Sequence, residues 1–141
     1  MPNLSTHPVH LGPGATAVAE PEFTGMDWYA GYEARHAADG RLVSQYDFTE
    51  SWGSWEVHPH GAELVICTAG AITLHQQWPG GCDVQVTLGP GDYAINPPGV
   101  WHTADVAPGV TATCIFITPG EGTEHRPAEP RTAPAGKGST T

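Results

Sequence analysis

The middle of the chain is built from apolar runs of strand length separated by turn residues. DVQVTL (83–88) places apolar side chains at every second position, and AITLHQQW (71–78) does so at Ile72, Leu74 and Trp78 with Gln76 between, the period of a strand with one buried face. ELVICTA (63–69) and GVTATCIFIT (109–118) are nearly continuous apolar runs, as expected of strands in a sheet interior. Gly70, PGGC (79–82), GPGD (89–92) and PPGV (97–100) punctuate these runs. YAIN and WHTADV are shorter segments of the same kind, and WYAGYEARH (28–36) and RLVSQYDF (41–48) flank AADG as a predicted hairpin. The pattern predicts about eight to ten short strands and no helix. Even spacing of short strands points to an all-β sandwich or barrel.

The flanks lack this pattern. Residues 1–22 hold four prolines and no apolar period, which predicts a flexible N-terminal arm that could pin onto a neighbour. Residues 121–141 are polar and rich in Pro and Gly, which predicts a disordered tail. Residues 23–120 remain as the folded domain. His7, His10 and His125 fall in the flanks and are not expected to be ligands.

Composition narrows the function. Fifteen acidic and five basic residues give a net charge of −10, a surface that repels phosphate backbones and anionic membranes. Neither nucleic-acid nor membrane binding is expected. Cys67, Cys82 and Cys114 show neither a disulfide framework nor zinc spacing; Cys67 and Cys114 lie in apolar runs and read as buried thiols. No signal peptide or apolar membrane span is visible, so a cytoplasmic location is the expectation.

The segment WEVHPH (55–60) carries the chemistry. Side chains at i and i+2 share a face of a strand, so Glu56, His58 and His60 would point one way. Imidazoles so placed on an inward face can grip a metal ion; on an outward face they are merely solvated. A second histidine-bearing stretch, GDYAINPPGVWHTADV (91–106), favours the inward alternative.

Together the two stretches resemble the motifs of the cupin family. Gly53, His58, His60, Glu63 and Gly70 match the first motif, and Gly91, Pro97, Gly99 and His102 match the second. Val106 stands where the family has Asn. The resemblance covers roughly residues 41–118. It implies a double-stranded β-helix, or jelly-roll barrel, holding one divalent metal ion per chain through His58, His60, Glu63 and His102. Fe(II) is favoured, with Zn, Mn, Ni or Cu as alternatives. Only Gly61 and Ala62 separate His60 from Glu63, fewer than the family's three or four residues, and alternation sets Glu63 out of phase with His60. Glu56, in phase with both histidines, is the other carboxylate candidate.

Three functions fit this resemblance. The first is a non-haem Fe(II) dioxygenase acting on a small organic molecule. The second is a redox-neutral isomerase, cyclase or lyase using the metal as a Lewis acid, with Glu56 or a cavity tyrosine as base. The third is a non-catalytic metal- or ligand-binding module. Glu63 and Glu56 are the candidate catalytic residues, Tyr46 and Phe48 are candidate cavity walls, and His75 is expected at the surface or behind a ligand. The family's habit of pairing sheets implies a homodimer, with WYAGYEARH and the N-terminal arm at its interface.

Overall fold

A computed structural model describes residues 1–36 and 39–129. The expectation of a disordered tail from 130 onward lies outside the described residues.

Two antiparallel sheets form the body, as an all-β jelly roll requires. One has six strands: β1 (Val9–Gly12), β2 (Thr16–Ala19), β3 (Arg41–Phe48), β5 (Glu63–Ala69), β8 (Tyr93–Asn96) and β10 (Ala112–Thr118), in the order β2-β1-β3-β10-β5-β8. The other has five: β4 (Ser54–Val57), β6 (Ile72–Trp78), β7 (Cys82–Leu88), β9 (Trp101–Asp105) and β11 (Glu124–Pro127), in the order β11-β4-β9-β6-β7. Val65, Cys67, Ile72, Leu74, Leu88, Ala104, Cys114 and Phe116 fill the space between them. Cys67 and Cys114 face each other across β5 and β10 as buried free thiols.

Gly70 joins β5 to β6 at φ +71°, and a Cβ there would lie 2.0 Å from the Thr111 carbonyl oxygen. Only glycine meets both demands. The bend lets ELVICTA and ITLHQQW leave for different sheets.

Three expectations are corrected. WYAGYEARH is not a strand: Asp27–His36 is a helix, α1. Its aromatic residues and Gly31 read as strand-like, yet Trp28 and Tyr32, four apart, form one buried face against Leu42. Asp27 begins the helix and Arg35 and His36 end it, the charge order its dipole favours. Tertiary burial of the two rings overrides the local preference.

The N-terminal residues are not a bare arm. β1 and β2 form a hairpin around Pro13–Ala15, and β1 pairs with β3. The hairpin thus covers the β3 edge. His10 is buried there; its Nδ1 lies 2.6 Å from the Tyr32 hydroxyl and its ring stacks on His36 at 3.6 Å. Glu20, also buried, binds Arg35 and His36 at 2.8 and 2.9 Å. A polar cluster therefore fastens α1 to the hairpin. At the other end, part of the predicted tail is β11, paired along β4. No helix among the described residues is long and apolar enough to cross a membrane.

Candidate metal centre

β4 ends at Val57, and Pro59 and His60 turn the chain. Proline supplies no N–H to extend the ladder, so strand alternation does not carry beyond His58. Glu56 on β4 and His58 just past its end point inward, as residues two apart should. His60 does not join them. It stands exposed in the turn, with its ring against Gly122. The expectation that His58 and His60 form the gripping pair is corrected: the inward pair is Glu56 and His58.

Glu63 opens β5, and His102 lies on β9 directly across from Glu56. The Gly99 N–H donates to the His58 carbonyl at 3.1 Å. The PPGV turn therefore ties the two histidine-bearing segments together, with Gly99 at φ +76°. Glu56, His58, Glu63 and His102 each offer a ligand atom, all within 4.8 Å of one another. From His102 Nε2 the Glu63 and Glu56 oxygens lie at 3.2 and 3.6 Å; from His58 Nε2 they lie at 3.4 and 3.8 Å.

The two Nε2 atoms test whether a cation fits. Both are buried and make no hydrogen bond, a costly arrangement unless another partner is meant for them. The far nitrogens are anchored. His102 Nδ1 donates to the Val100 carbonyl at 3.3 Å, and His58 Nδ1 lies 2.9 Å from the Thr123 hydroxyl. The carbonyl can only accept, so in neutral His102 the lone pair sits on Nε2, facing the carboxylates. Glu63 accepts from Asn96 at 2.9 Å and from the Thr118 hydroxyl at 2.6 Å, while Gln76 donates to Asn96. Glu56 lies 2.9 Å from His125 Nε2. Every donor is thus held from behind, the arrangement that aims ligands at a metal. The set fits a divalent ion: two imidazoles, with two carboxylates whose charge would neutralise it.

The electrostatics agree. Burial alone would raise the Glu63 carboxyl, but His102 and His58 outweigh it and hold it well below the usual carboxylate range. Glu56 is lowered too: burial and Glu63 oppose ionisation, and His102 and His58 overcome them. Burial disfavours the His102 cation, yet Glu56 and Glu63 push its pKa up to about 9. The cluster attracts positive charge, as a proton or as a metal.

A cavity of about 450 Å³ opens on this group, lined by Glu56, His58, Glu63 and residues of α1 and β3. Tyr46 and Phe48 both line it. His75 stays outside, half-buried, 2.6 Å from Asp105.

The sequence reading missed Asn96, Thr118, Thr123 and His125, which bond to the candidate ligands from behind. One signal for Glu56 was present. Four residues lie between His58 and Glu63, the spacing the motif asks for, which moves the motif's first pair back to Glu56 and His58.

Comparisons with known proteins agree with this architecture. A family model described as a cupin domain matches residues 48–118. Among solved structures, Peruvianin-I, a cysteine peptidase from Thevetia peruviana latex, is similar at 22% identity and TM-score 0.55, over 66% of this chain and 61% of that one. An oxalate oxidase is similar at 16% identity and TM-score 0.52, over 59% of this chain and 44% of that one. The chain therefore spans about three fifths of the first and under half of the second. At these identities the likeness is one of fold. No curated protein matches the chain in sequence.

Proposed function

Because this chain belongs to the cupin family, we propose that it is a metal-dependent oxidoreductase of the dioxygenase type, acting on a small organic molecule. The observation that carries this is the pair of buried Nε2 atoms of His58 and His102, which make no hydrogen bond and face the carboxylates of Glu56 and Glu63 at the wall of a cavity. Glu56, His58, Glu63 and His102 would hold the ion. A set with two carboxylates is harder than one with three imidazoles, which favours Fe(II) or Mn(II) over softer ions. Bound there, Fe(II) would supply the means of bringing dioxygen and substrate together.

The chain's own residues do the rest. Thr123 and the Val100 carbonyl orient the imidazoles, and Asn96 and Thr118 fix Glu63. The aromatic side chains of the cavity keep bulk water from the reacting groups. A redox-neutral enzyme is the second reading, favoured by Glu56. It is the most exposed of the four, at 26%, and so the carboxylate best placed to take a proton from a ligand.

Elemental analysis of protein purified without a metal-binding tag tests the centre, with about one divalent ion per chain expected. Oxygen consumption with Fe(II) then separates the two readings. Turnover that persists under strict anoxia would select the redox-neutral enzyme.

We place two copies in the active assembly. Support comes from the outer face of the six-stranded sheet, where Val43, Ile117, Leu64 and Ile66 adjoin the exposed Tyr93 and Ile95, an apolar surface suited to a second sheet. Light scattering should report a dimer, and Ile95→Glu should return it to a monomer. The free thiols of Cys67, Cys82 and Cys114 suit a reducing, cytoplasmic setting.

A further inference from the structure

The cavity walls are more specific than the metal-holding group alone. An unbroken series of rings runs from α1 to the cluster. Tyr46 packs on Phe116 at 6.0 Å between centroids, Phe116 on Trp52 at 6.0 Å, and Trp52 on His102 at 6.5 Å. Phe23 closes the series at the helix side, 5.5 Å from Tyr29 and 5.6 Å from Tyr46. Flat, polarisable walls of this kind favour flat ligands.

A polar feature interrupts the wall. The Tyr29 hydroxyl, from α1, and the Tyr46 hydroxyl, from β3, are hydrogen-bonded to each other, and both residues line the cavity. One hydroxyl must donate to the other; with Tyr46 also bonded to Ser44, Tyr46 donating to Tyr29 leaves the Tyr29 O–H free. Burial, then each other's proximity and Glu56 and Glu63, raise the Tyr29 phenol; burial raises Tyr46 despite its bonds to Tyr29 and Ser44. Both remain protonated at neutral pH, so the free hydrogen is available to an acceptor.

Charge sets a further limit. Among the described residues no Lys or Arg lines the cavity, while Glu33, Glu56 and Glu63 do. The chain as a whole carries −10. A small dianion or a phosphorylated substrate would find no cationic partner other than the metal.

Building on the metal-centred proposal above, we infer that the cavity takes a neutral or weakly acidic planar aromatic molecule. Such a molecule places an oxygen acceptor on the Tyr29–Tyr46 hydroxyl pair and its ring along the Phe116 and Trp52 wall, and the pocket selects against small polyanions. The volume of about 450 Å³ lies in the range for ligands of one or a few rings.

Calorimetry with two aromatic probes and oxalate tests this. 4-Hydroxyacetophenone, which offers a carbonyl acceptor but no chelate, should bind the metal-free protein. Tyr29→Phe should weaken it about tenfold, the loss of one hydrogen bond to a buried partner, with metal content unchanged; Tyr46→Phe, which removes the group that orients the Tyr29 hydroxyl, should weaken it less. On Zn(II)-loaded protein, 4-nitrocatechol should bind at least about tenfold more tightly than oxalate. Oxalate binding as tightly as 4-nitrocatechol, or wild-type affinity for 4-hydroxyacetophenone in both Phe variants, would overturn the inference. A protein that takes up no metal yet binds 4-hydroxyacetophenone through the tyrosines would refute the metal centre and leave the aromatic pocket standing.

Discussion

Glu56 lies directly opposite His102 in the β4–β9 pairing, with its Oε1 3.6 Å from the imidazole Nε2. The carboxylate therefore occupies the inward position that the sequence reading assigned to His60. The donor set becomes two imidazoles and two carboxylates.

This assignment separates two neighbouring histidines. His58→Ala and His102→Ala should abolish metal retention, Glu56→Gln should reduce it, and His60→Ala should leave it at the wild-type level. Elemental analysis of the four variants checks this. Loss of metal in His60→Ala equal to that in His58→Ala would return His60 to the ligand set.

The residues behind the ligands should matter nearly as much as those in front. Thr123→Val frees the His58 ring, and His125→Ala removes the partner of Glu56. Each should weaken metal binding by roughly 10–100-fold, the usual cost of losing such a partner. Competition with a chromogenic chelator measures it; unaltered affinity in both would show the ligands to be held by packing alone.

Acid should loosen the junction between α1 and the N-terminal hairpin. Burial, with His36, holds His10 below its ordinary 6.5. Glu20, which burial alone would raise, is held below its ordinary 4.5 by Arg35 and His36. In both cases the unfolded chain takes up its proton at higher pH than the folded one. The stabilisation from His10 is therefore complete above pH 6.5 and lost as pH falls below it. That from Glu20 follows as pH falls below 4.5. Melting temperature against pH should decline over these two ranges, and Glu20→Gln should flatten the lower one. An identical acid limb in the variant would exclude Glu20 as its source.

Gly70→Ala should destabilise the fold without touching the site. It forces a side chain into a left-handed backbone and against the Thr111 carbonyl. A loss of roughly 1–3 kcal/mol is expected for the backbone strain alone, read as a lower urea midpoint. An unchanged midpoint would mean the bend can relax.

Much of this was legible in the sequence, for identifiable reasons. The runs around Val65, Leu74 and Phe116 announce buried strands because their period and length match a sheet. His102 was found because PPGV fixes the turn that presents it. His60 misled because alternation was carried through Pro59, where the ladder stops. The α1 segment misled because Trp28, Tyr29 and Tyr32 favour strands locally, and only packing on Leu42 reverses that. His10 and His125 were set aside as residues of the flanks, since long-range pairings of β1 with β3 and of β11 with β4 leave no local mark. The partners of Glu63 come from β8 and β10, some 33 and 55 positions away, beyond the reach of any short motif.

The pairing of β11 along β4 has a practical corollary. The family match ends at residue 118, but Thr123 and His125 follow it. A fragment trimmed at that boundary would keep all four donors and discard two of the side chains that aim them. Its weaker grip on a cation would then describe the trimming rather than the protein.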